Sequence, residues 1–114
     1  MLAVIFEVWP TTEGKKEYLE IAANLRTFLE DRDGFISIDR YQSLNDEGKI
    51  LSLSFWRDEE AIRVWRNLFE HRCAQQQGKL ELFKNYRIRV ASVVRDYSLD
   101  VRAEAPADSV TALD

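Results

Sequence analysis

Two helical periodicities interrupt four extended runs, and their order is the strongest constraint on how this chain can fold. Residues 2–9, Leu-Ala-Val-Ile-Phe-Glu-Val-Trp, form a short apolar, β-branched and aromatic run that Pro10 stops. A strand buried on both faces has that character. Thr11 and Thr12 then offer hydroxyls to free backbone N–H groups, and Glu13 suits the positive end of a helix. From 13 to 31, Tyr18, Ile21, Ala22, Leu25, Phe28 and Leu29 recur at helical spacing, and Asp33-Gly34 supplies a left-handed cap. Residues 35–43 place Ile36 and Ile38 opposite Ser37 and Asp39. Residues 49–56 place Leu51, Leu53 and Phe55 opposite Ser52 and Ser54. The turn Asn45-Asp46-Glu47-Gly48 joins the two as a hairpin. Asp58 is an N-cap for a second helix with Glu59 and Glu60 in its first turn. Ala61, Val64, Trp65, Leu68 and His71 are its expected inward stripe, and it is expected to close near Gly78. A final extended segment runs over 80–97.

Strand, helix, strand, strand, helix, strand is the split βαβ order, so the fold class expected is α+β. It is a ferredoxin-like βαββαβ unit with a four-stranded antiparallel sheet, spanning residues 1–97. Residues 98–114 turn small, acidic and Pro-containing and are expected to be a C-terminal tail. Two helices cover only one face of such a sheet. The other face would still carry many apolar residues, because the first and last strands show little alternation. A bare patch of that kind exceeds the few hundred Å² that monomers tolerate. A homodimer closed as a dimeric α+β barrel is therefore expected.

A chain of 114 residues is one domain, and burial of roughly 60–70% of its unfolded surface needs no disulfide staple. The net charge of −4 argues against a nucleic-acid partner, which a basic domain would suit. The lone Cys73 can form no internal bridge and no cysteine-rich metal site. No signal-peptide pattern opens the chain, and its apolar runs fall well short of the ~20 residues a membrane span needs. A cytoplasmic protein with no membrane partner is expected. There is no glycine-rich phosphate loop, nucleophile elbow or metal-spaced ligand cluster, so neither a cofactor nor a metal is expected.

Several segments carry a family resemblance. They are Phe6-Glu7-Val8 ahead of a Thr-Glu-Gly helix entry, and Asp33-Gly34-Phe35 opening the second strand. Further along are Ser54-Phe55-Trp56-Arg57-Asp58-Glu59-Glu60-Ala61, then Trp65-Arg66-Asn67 with His71, and Tyr86-Arg87-Ile88-Arg89-Val90. Over roughly residues 2–97 the chain resembles the antibiotic biosynthesis monooxygenase superfamily, whose members are dimeric α+β barrels. The resemblance implies a small-molecule pocket. Some members oxygenate aromatic polyketides without metal or flavin, others bind and degrade haem, and others handle quinones or signalling metabolites. The haem-degrading branch uses an Asn on strand one, a Trp on helix two and a His ten residues later. Here Glu7 stands in place of the Asn, Trp65 matches, and Gln75 occupies the ligand position, with His71 one turn earlier.

His71, the only histidine, is the residue expected to act as base, since a neutral imidazole in an apolar pocket takes a phenolic proton near neutral pH. The plain alternative is a buried, hydrogen-bonded histidine. Trp65 is expected to stack on substrate, and Asn67 or Tyr86 to hold a developing oxyanion; each is equally suited to core or cap. Glu7, Trp56 and Arg87 are the expected substrate-binding residues. The alternatives are core packing for Trp56 and solvation for Glu7. Arg87, with Arg89 and Arg95, could instead pair with acidic groups across a dimer. The function expected is cofactor-independent monooxygenation of a small aromatic or quinone-like substrate by molecular oxygen. A non-catalytic or stress-related binding module and a haem-binding protein are the rivals.

Overall fold

A computed structural model describes residues 1–77 and 81–113 of the protein. Its elements are β1 (Leu2–Pro10), α1 (Gly14–Leu29), β2 (Phe35–Gln42), β3 (Ile50–Trp56), α2 (Glu59–Gln77), β4 (Phe83–Ser92) and α3 (Ala107–Leu113). The four strands form one antiparallel sheet in the order β2-β3-β1-β4. This is the α+β, ferredoxin-like arrangement. The expected helix end near Gly78 and strand start at Leu80 lie outside the described residues.

Local chemistry sets the boundaries. Thr11 Oγ1 accepts from the Gly14 N–H at 2.9 Å and donates to the Glu81 carbonyl at 2.6 Å, tying the start of α1 to the segment before β4. A Cβ at Gly14 would stand 2.6 Å from the Leu82 backbone, so only glycine permits this approach. Gly34 ends the turn after α1 with φ +84°. Asp58 caps α2 through the Ala61 N–H at 3.1 Å. Arg57 joins the two helix-strand corners, donating to both Asp33 oxygens at 2.7 and 2.9 Å and to Asp58 at 2.8 Å.

Register decides which side chains meet the helices. Leu2, Val4, Phe6 and Val8 pair with Trp56, Ser54, Ser52 and Ile50, so all eight share one face. On that face Val4, Phe6, Val8, Ile50, Ser52, Ser54 and Trp56 are buried under Tyr18, Ile21, Leu25 and Leu29 of α1 and Ile62, Trp65 and Phe69 of α2. The outer face carries Ala3, Ile5, Glu7, Leu51, Leu53 and Phe55. Five of these, Ile5, Glu7, Leu51, Leu53 and Phe55, are only half-buried. The leucine side of β3 thus turns away from the helices and the serine side toward them.

The inward stripe of α2 is corrected. Ala61, Ile62, Trp65, Phe69 and Cys73 are buried, with Leu68 half-buried, whereas His71 is exposed. Three-residue steps fall back about 60° each on a helix, so His71 stands about 120° behind Trp65, while four-residue steps hold the ridge. The last strand stops at Ser92, short of the expected Tyr97. Beyond it the tail turns at 98–101 and carries α3, which Pro106 precedes and Asp108 supports in the first turn.

Candidate functional site

A cavity of about 220 Å³ lies between α2 and the β1–β4 side of the sheet. Its walls are aromatic because three segments bring rings to one place. The four-residue ridge of α2 supplies Trp65 and Phe69, which stack at 5.5 Å and 14°. The inward face of β1 supplies Phe6, edge-on to Trp65 at 6.2 Å and to Phe69 at 5.3 Å. The start of β4 supplies Phe83 and Tyr86, each about 6 Å from Phe6 and 6.0 Å from one another. Ile88 and Cys73 complete the lining, and Arg66, Glu70 and Ala74 on the exposed side of α2 form the rim. Burial, aided by the negative charge of Glu70, pushes the Cys73 thiol up to about 11, so it lines the cavity as a neutral, unreactive thiol.

Of the residues the sequence singled out, the fold brings Trp65 and Tyr86 together here. Tyr86 is 57% exposed, and its ring packs edge-on against Phe6 and Phe83. The others are elsewhere. Asn67 and His71 are exposed and outside the cavity lining. Trp56 is 1% exposed, packs on Phe35 at 5.2 Å, and donates its indole N–H to Ser54 Oγ at 2.8 Å. It is a core residue with its polar group satisfied. Glu7 and Arg87 pair with each other across β1 and β4 and so face the outer side, away from the cavity. Glu7 is clamped there by Lys49 and Arg89. Its hydrogen bond from Lys49, with that from Arg89, holds the carboxyl below the usual glutamate range despite partial desolvation. The side chain of Gln75 lies outside the described residues.

The sequence reading missed Phe69, Phe83, Arg66 and Glu70. The spacing Trp65-x-x-x-Phe69-x-x-x-Cys73 carried the signal for Phe69, since every member of a four-residue ridge faces one way.

Residues 1–77 match the profile of the family described as antibiotic biosynthesis monooxygenase. The chain belongs to this family. It is 46% identical over 93 residues to the jasmonate monooxygenase ABM of Pyricularia oryzae, covering 82% of this chain and 43% of that protein. The chain therefore spans less than half the length of that relative. It is 30% identical over 93 residues to the uncharacterized protein YqjZ of Bacillus subtilis, covering 82% and 79%. Among solved structures it superposes on Rv0793 of Mycobacterium tuberculosis with a TM-score of 0.71 at 20% identity, over 85% and 98% of the two chains. SnoaB, a cofactor-independent oxygenase of Streptomyces nogalater, gives 0.65 at 10% identity over 83% and 94%. At such identities the structural likeness speaks for the fold alone. Among the described residues no helix is long and apolar enough to cross a membrane.

Proposed function

We propose that this family member is a cofactor-independent monooxygenase that oxidises a small aromatic or quinone-like molecule with molecular oxygen in the cavity beside Trp65. The observation that carries the reading is the cavity's composition. Its walls are rings, aliphatic groups and one neutral thiol, and its charged groups stand only at the rim. At protein packing density of about three quarters, 220 Å³ accommodates roughly 160 Å³ of molecule, the size of a two-ring body. Trp65 and Phe69 offer stacking faces, and the Tyr86 hydroxyl reaches an oxygen at the mouth.

The chemistry needs no external reductant. An ionised phenol is electron-rich enough to react with oxygen. One oxygen atom replaces two substrate hydrogens as a new carbonyl, and the other leaves with those hydrogens as water. What the protein adds is a dry wall around the ring and a donor for the oxyanion.

The half-buried Ile5, Leu51, Leu53 and Phe55 on the outer face support a homodimer closed through that face. Sedimentation giving a dimer at micromolar concentration supports it, and a monomer refutes it. For the activity, oxygen uptake is measured with dihydroxynaphthalenes. Uptake is expected, with Tyr86→Phe lowering kcat roughly a hundredfold and His71→Ala leaving it unchanged. No uptake at any pH overturns the proposal, and tight retention without turnover selects a binding module.

A further inference from the structure

Arg66 and Glu70 stand one turn apart on α2, both on the rim of the cavity, and neither forms a hydrogen bond or ion pair with the other or with any other described residue. Opposite charges at this spacing can close on each other, more weakly in the basic-before-acidic order found here. Some pairs elsewhere in this chain do, although Lys16 and Glu20 on α1, also four residues apart and both exposed, do not. Arg26 and Glu30, in the same order and spacing, approach to 3.8 Å, and Glu60 and Arg63 on α2 itself meet at 2.6 Å. The rim pair presents an unpaired guanidinium and an unpaired carboxylate, on backbone positions about 6 Å apart along the helix axis, over an apolar hollow.

We infer that Arg66 and Glu70 are a split clamp that sets ligand specificity and supplies the base. The inference rests on the cavity being the substrate site. The ligand class it selects is a compact ring system with a carbonyl at one end and a hydroxyl at the other, conjugated through the ring. Arg66 donates to the carbonyl oxygen, which a planar fork does well. Glu70 accepts from the hydroxyl. On activation the hydroxyl proton passes to the Glu70 carboxylate, and the O–H electron pair stays on the substrate and delocalises onto the oxygen facing Arg66. Exposure of Glu70 lets the proton leave to solvent, restoring the carboxylate. A ligand with only an anionic head would meet Arg66 favourably but repel Glu70. A two-ended hydroxy-ketone satisfies both.

The test uses three probes in calorimetric titrations: a hydroxytetralone with hydroxyl and ketone at opposite ends, tetralone without the hydroxyl, and tetrahydronaphthol without the ketone. The intact protein is expected to bind the first at least tenfold more tightly than either other, the worth of one charge-assisted hydrogen bond. Glu70→Gln is expected to erase the preference over tetralone, and Arg66→Gln the preference over tetrahydronaphthol, while Arg66→Lys restores it in part. Both positions are exposed, so these variants are expected to fold, with circular dichroism as the check. In oxygen uptake, the Glu70→Gln defect is expected to shrink as pH passes the substrate hydroxyl's own pKa, because the proton is then already gone. Equal affinity for the three probes, or preferences that survive both substitutions, overturns the clamp. Selective binding without oxygen uptake keeps the clamp and refutes the oxygenase reading, and no binding of any probe refutes both.

Discussion

Replacing Ser54 with alanine isolates one buried hydrogen bond whose energy can be worked out from the structure. Ser54 and Trp56 are each 1% exposed, and the indole N–H donates to the serine oxygen at 2.8 Å. Removing the oxygen leaves almost no void, so the cost is that of an indole N–H stranded in an apolar core. That cost is about 1–3 kcal/mol. For a chain of this length it corresponds to a drop in Tm of roughly 4–12 °C. The loss is expected in urea unfolding followed by circular dichroism, with the m-value unchanged. A double-mutant cycle sharpens the argument. Once Trp56→Phe has removed the donor, Ser54→Ala removes a hydroxyl that has itself become unsatisfied, so it should then cost little or even stabilise. If Ser54→Ala alone changes stability by less than about 0.5 kcal/mol, within the range of an inconsequential substitution, the indole has another partner and the assigned hydrogen bond is wrong.

Gly34→Ala is expected to lose more than about 1–2 kcal/mol, because φ is +84° and the new Cβ would stand 2.8 Å from that of Ala61; near-native stability in denaturant would refute the left-handed turn. Cys73 gives a pH prediction. Its folded pKa is raised, to about 11, so its contribution is intact below the ordinary thiol value near 8.5 and is lost as pH climbs toward the folded value. Alkylation by iodoacetamide at pH about 8.5, where a free thiol is half ionised, should be slow in the native protein and fast in urea; rapid native labelling would contradict its burial.

The element order and caps were readable because each rests on short-range chemistry: Thr11 at the start of α1, Gly34 after it, Asp58 before α2. The sheet faces were not. Alternation in β3 separates Leu51, Leu53 and Phe55 from Ser52 and Ser54, but which side meets the helices depends on the register with β1, a long-range fact. The serines fit beneath the helices because Phe6, Trp56, Trp65 and Phe69 already fill that space. The site suffered from phase. A stripe read in three-residue steps drifts around the helix and carried the base assignment to His71, whereas the ridge through Trp65 and Phe69 lines the cavity. Phe83 and Tyr86 join it only through the pairing of β4 with β1. Trp65 and Tyr86 were identifiable as candidates, but their meeting at one cavity was not.

The reading as a whole depends on the hollow beside Trp65 being where substrate and oxygen meet, and a plug tests it most directly. Ala74 is exposed and lines the rim, so Ala74→Trp fills the mouth without touching the core. Oxygen uptake with dihydroxynaphthalene is expected to fall at least a hundredfold in this variant while its Tm stays within a few degrees of the parent. Unchanged uptake in a folded Ala74→Trp protein would place the chemistry somewhere else.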